Sequence, residues 1–108
     1  MYKSKAVAQS RANRLADTAK RDCGALWIAG VKQQGSVFIP FIEFSNVYLE
    51  QFAKGRYSCC IKFEKGGTIC KTGTDVSTLI KYTINRYKSD LYSNIENFNY
   101  LYQNIYVE

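Results

Sequence analysis

The sequence predicts a single α+β domain over residues 1–108, with an N-terminal helix, an antiparallel sheet of about four strands and one or two C-terminal helices. Three observations carry this expectation. Apolar residues recur at helical spacing from Ala8 to Ala19 and again beyond Val76. Between those stretches, short apolar or alternating runs are separated by glycine-containing turns, the pattern of strands. The clearest run is Arg56 to Glu64: Tyr57, Cys59, Ile61 and Phe63 share one face, while Arg56, Ser58, Cys60, Lys62 and Glu64 take the other. A chain of this length can bury a modest core unaided.

Residues 2–21 read as the first helix, with Ala8, Ala12, Leu15, Ala16 and Ala19 on one face. An alanine-rich face lies close to a sheet but buries little area. Lys3, Ser10, Arg14 and Arg21 align on another face with Arg11 nearby, a basic stripe that either follows a phosphate backbone or keeps an exposed surface soluble. Gly24 suits a left-handed cap. Ala25 to Lys32 is apolar enough for a strand buried on both faces, and Gln33-Gln34-Gly35 for a turn. Ser36 to Phe44 returns as a second strand, in which Pro40 favours an edge position or a bulge. Trp27, Phe38, Phe41 and Phe44 read as core residues ahead of a platform for stacking bases.

Ser45-Asn46 predicts the cap of a short helix over Val47 to Lys54, closed by Gly55, although the run YLEQF also fits a strand. The central hairpin then turns at Gly66-Gly67 and returns over Thr68 to Thr72. Two registers are open. One sets Phe63 opposite Cys70 and Lys62 opposite Lys71; the other, with a bulge, sets Phe63 opposite Ile69. Thr74-Asp75 caps the last helical stretch from Val76. There Ile80, Ile84, Tyr87, Leu91, Asn94, Phe98, Leu101 and Ile105 form a heptad seam, which predicts a homodimer through Ile84, Tyr87, Leu91 and Phe98. A break at Ser89-Asp90, with a capping box at Ser93 to Glu96, favours two packed helices over one long one.

Lys and Arg exceed Asp and Glu by fifteen to nine, and the net charge of +6 is unevenly placed. Met1 to Arg21 carries six bases against Asp17, Lys54 to Lys71 five against Glu64, and Ser89 to Glu108 three acids and no base. That asymmetry points to an acidic partner. No apolar run reaches membrane-span length, and the first residues lack the apolar core of a secretory signal. A cytoplasmic location with reduced cysteines is therefore expected. Cys23, Cys59, Cys60 and Cys70 form no CxxC pair and there is no histidine, so no metal or other cofactor is expected and the thiols read as small apolar residues. Without histidine the usual general base at neutral pH is missing, the carboxylates form no paired motif, and no phosphate-cradling loop is present. A non-enzyme is expected.

The order helix, antiparallel strands, helix resembles that of double-stranded RNA-binding domains, and Arg56 to Tyr87 resembles the hairpin and helix of AP2-type domains. Both likenesses are of topology. Asp75-Val76-Ser77-Thr78 stands where the RNA-binding module has its Lys-Lys helix start, and no family is assigned. By composition the chain resembles an accessory protein of a phage or plasmid. The expected function is a nucleic-acid-binding regulatory module contacting phosphates through Lys3, Arg11, Arg14, Arg21, Arg56, Lys62, Lys65 and Lys71. An inhibitor or adaptor that places the same surface on an acidic protein is the alternative.

Overall fold

Ser4 starts helix α1 (Lys5–Cys23) in the computed structural model, which describes residues 2–24, 26–62 and 67–92. The Ser4 side chain accepts a hydrogen bond from the Val7 N–H at 3.3 Å, the usual role of an N-cap. The helix starts later than residue 2 because Tyr2 is used elsewhere. Its backbone pairs with Phe38, donating at 3.2 Å and accepting at 2.7 Å. At the other end Gly24 adopts φ 75° and its N–H reaches the Lys20 carbonyl at 2.9 Å, the left-handed cap expected there.

Five strands follow: β1 (Ile28–Gln34), β2 (Val37–Phe44), β3 (Val47–Ala53), β4 (Arg56–Lys62) and β5 (Thr68–Gly73). They form one antiparallel meander in the order β1-β2-β3-β4-β5, and helix α2 (Val76–Tyr92) closes the sequence of elements. The α+β architecture stands, with one strand more than expected. The extra strand is β3, where a helix was anticipated. Val47, Leu49 and Gln51 are buried on one side of it in strict alternation, which a helix would scatter around its circumference. Ser45 takes φ 55° and with Asn46 makes a two-residue hairpin turn instead of a helix cap.

β1 also departs from expectation. It is an edge strand with no residue fully buried, because α1 covers one face and no helix among the described residues covers the other. Trp27, just before it, enters the core at 7 % exposure. β2 is an interior strand, so Pro40 is not on an edge. Phe38 pairs with Tyr2 and the β2–β3 ladder begins at Phe41, so Pro40 sits in the gap between the two, where no donor is required of it.

The β4–β5 register is neither of the two expected. Ile61 faces Ile69, Cys60 faces Cys70 and Cys59 faces Lys71, three positions from the tight-turn pairing. Cys60 and Cys70, directly opposed, form a disulfide, which corrects the reading of all four cysteines as thiols. Cys23 and Cys59 are free and buried. In α2 the expected break at Ser89-Asp90 is absent, and the helix runs through to Tyr92. Asp75 caps it, accepting from the Thr78 N–H at 2.9 Å. The capping box at Ser93 and seam residues Asn94, Phe98, Leu101 and Ile105 lie outside the described residues.

Both helices pack on one face of the sheet, α1 over β1 and β2, α2 over β4 and β5. The core joins Leu15, Ala19 and Cys23 of α1 to Ile42, Val47, Leu49, Cys59 and Ile61 of the sheet and to Leu79, Ile80 and Ile84 of α2. Phe44 packs against this core beside Trp27, with ring centroids 5.8 Å apart. Phe41 does not join it. Its ring lies on the opposite face across Gly30, where a Cβ would stand 2.5 Å from Phe41 Cζ, and stacks on Tyr48 at 5.0 Å.

Candidate anion-binding site

The candidate site is a cleft of about 570 Å³ between α1 and the β3–β4 turn, lined by Tyr2, Val7, Ser10, Arg11, Arg14, Gln51, Lys54, Gly55 and Tyr57. Its floor is a cross-strand pair. Gln51 on β3 and Tyr57 on β4 stand opposite each other at 2 % and 5 % exposure. Just beyond them the β3–β4 register slips between Gln51 and Ala53, a bulge that ends regular pairing before the Lys54-Gly55 turn. Gly55 takes φ 67° there, a left-handed conformation that glycine adopts without strain.

One guanidinium ties the helix to this floor. Arg11 Nε donates to Gln51 Oε1 at 3.2 Å, and Arg11 Nη2 donates to the Tyr57 hydroxyl. Tyr2 donates its hydroxyl to the same Gln51 oxygen at 3.3 Å. These partners are neutral, so the Arg11 charge is oriented but not cancelled. Neither Arg11, Arg14 nor Lys54 forms an ion pair with a carboxylate among the described residues. The Gln51 amide nitrogen, by contrast, donates to no described residue and is not sealed off from solvent. Among the described residues the lining therefore presents three cations, amide and hydroxyl donors, and no acid. That combination suits an anion with several acceptor oxygens.

Of the residues expected to bind, Arg11 and Arg14 share this cleft and the other described ones do not line it. Arg21 is paired with Asp22 at 3.0 Å. Lys3 and Arg56 are exposed outside the cleft lining. Lys62 lies beside a second hollow with Glu43, Tyr48 and Cys60. Lys71 was expected on the outer sheet face with Lys62. The shifted register instead pairs it with buried Cys59, on the helix side, where its Nζ stands 4.5 Å from the Tyr82 ring centre. Lys65 falls outside the described residues. The outer sheet face carries charges of both signs, with Lys32 bound to Glu50 at 3.1 Å. In the expected dimer seam, Ile84 is fully buried in the chain's own core; Tyr87 and Leu91 are described by backbone alone, and Phe98 not at all.

Sequence reasoning placed Ser10 on the basic stripe but missed Gln51, Lys54 and Tyr2 as site residues. A signal for Gln51 was present: in strand register it follows Val47 and Leu49 on the apolar face, an unusual place for an amide. The helical reading of that stretch concealed it. No helix among the described residues is long and apolar enough to cross a membrane. Compared with protein-family models, curated proteins and solved structures, the chain matches none.

Proposed function

We propose that the protein is a small non-catalytic nucleic-acid-binding module that grips phosphate in the cleft between α1 and the β3–β4 turn. The reading rests on one observation: Arg11, Arg14 and Lys54 converge on a concave surface with no carboxylate among its described lining residues and with the Gln51 amide at its floor. Gathering like charges without counter-charges opposes folding, and an incoming phosphate relieves that repulsion. Arg11 is held by Gln51 and Tyr57 before any ligand arrives, so little ordering cost remains on binding. The test is a salt series with short single- and double-stranded oligonucleotides. Affinity should fall linearly on a log–log plot, and Arg14→Ala or Lys54→Ala should each flatten the slope by about one unit. Unchanged binding in the double variant would remove the cleft from the account.

A second reading, an adaptor on an acidic protein, is favoured by Leu26 and Ile28, which are 72 % and 66 % exposed at the β1 edge. Phosphate contact gives those side chains no role. Ile28→Asp should weaken a protein partner and leave oligonucleotide binding intact.

A further inference from the structure

Resting on the nucleic-acid reading above, we infer that the cleft takes the terminal phosphate of a strand, a phosphomonoester, in preference to a phosphodiester within it. Three features of the site lead there. The first is shape. The cleft is open to solvent at its mouth but ends on a buried floor, Gln51 and Tyr57, at 2 % and 5 % exposure, against which the end of a strand can abut. Its volume of about 570 Å³ is that of a small-molecule pocket and admits one nucleotide-sized group.

The second is charge. Arg11, Arg14 and Lys54 face a single hollow, and its described lining residues include no acid. A diester brings one negative charge into such a space. A monoester brings between about 1.5 and 2 at neutral pH, because its second ionisation lies near 6. The third is donor count. Arg11 spends Nε and one Nη2 proton on the floor, and its Nη1 protons have no described partner. The Gln51 amide protons are likewise unused, and the Tyr57 hydroxyl, which accepts from Arg11, keeps its own proton to donate. Three terminal oxygens can satisfy this set, whereas a diester offers two non-bridging ones. Tyr2, fixed by its backbone pairing with Phe38 and its bond to Gln51, and Val7 supply an apolar wall for the terminal sugar and base.

The experiment compares one oligonucleotide in four forms: 5′-phosphorylated, 3′-phosphorylated, hydroxyl-ended at both termini, and the free nucleoside monophosphate. One phosphorylated strand should bind about tenfold tighter than the hydroxyl-ended strand, and more tightly than the free monophosphate. The preference should shrink below about pH 6, as the monoester gains its second proton. Arg14→Gln and Gln51→Leu should each erase it, and Lys62→Ala, outside the cleft, should not; Arg14 is exposed, so its variant keeps the test valid if Gln51→Leu does not fold. Equal affinity for phosphorylated and hydroxyl-ended strands would overturn the terminal-phosphate site while leaving nucleic-acid binding in place. Binding of the free monophosphate as tightly as the strand would overturn the strand-end assignment. Absence of binding to every strand at low salt would overturn the nucleic-acid reading itself.

Discussion

A glutamine on the buried face of a strand must find partners for one oxygen and two amide protons. Gln51 finds them for the oxygen alone, from Tyr2 and Arg11. The same side chain therefore braces α1 through its oxygen while its amide nitrogen has no described partner. Gln51→Leu removes the shared acceptor and strands two donors, so it should cost about 1–3 kcal/mol of stability in a denaturant titration. Asn in its place is shorter and should lose part of that stability as well. Stability unchanged by Gln51→Leu would mean that water serves Tyr2 and Arg11 equally well. Arg11 was legible as a candidate because arginine on a basic helix face is a sequence signal. Its partners were not, since Gln51 and Tyr57 are 40 and 46 residues away and only the packed fold sets them side by side.

Among the elements, the β4–β5 hairpin shows what a register decides. The alternation of Tyr57, Cys59 and Ile61 was readable from their own strand, and all three are buried. The return strand was not, because Gly66-Gly67 admits several loop lengths and each single-residue step exchanges the faces. With Cys60 opposite Cys70, reductant should lower unfolding free energy by about 2–3 kcal/mol, the loop-entropy value for a link spanning ten residues, and a thermal melt reads it directly. Burial pushes the Cys23 thiol up to about 11 and the Cys59 thiol up to about 12. Alkylation of the folded protein at pH 8 should thus label no cysteine before reduction and only Cys60 and Cys70 after it. The junction of the two helices titrates at the other extreme. Asp22, at the end of α1, accepts from Arg21 and from the Ser77 hydroxyl of α2, and these bonds hold its carboxyl below the ordinary 3.8. Asp75 is held below 3.8 by its bonds to Thr78. Lowered values mean that the stabilisation is complete above pH 3.8 and is lost as pH falls through the lower folded values. Asp22→Asn should make stability less steeply dependent on pH in that acid range.

At the scale of the whole molecule, the two-layer α+β plan was legible because the helical and alternating periods are each strong over α1, β2 and β4. The placement of charge was not. The basic stripe on α1 divides in the fold: Arg11 and Arg14 turn to the cleft, while Arg21 is taken by Asp22. Connectivity has a kinetic consequence. Consecutive strands pair throughout the sheet, three of the turns spanning two residues, so hairpins close over short loops. The Arg11 bonds that fasten α1 to the sheet instead span 40 and 46 residues, and the Tyr2 bond just ahead of the helix spans 49. Strands should zip first and α1 dock late, completing the cleft only after the folding barrier is crossed. A phosphate-bearing ligand then recognises nothing in the transition state. It should slow unfolding in stopped-flow measurements in proportion to its occupancy and leave the refolding rate where it was, lengthening the lifetime of the native chain without hastening its birth.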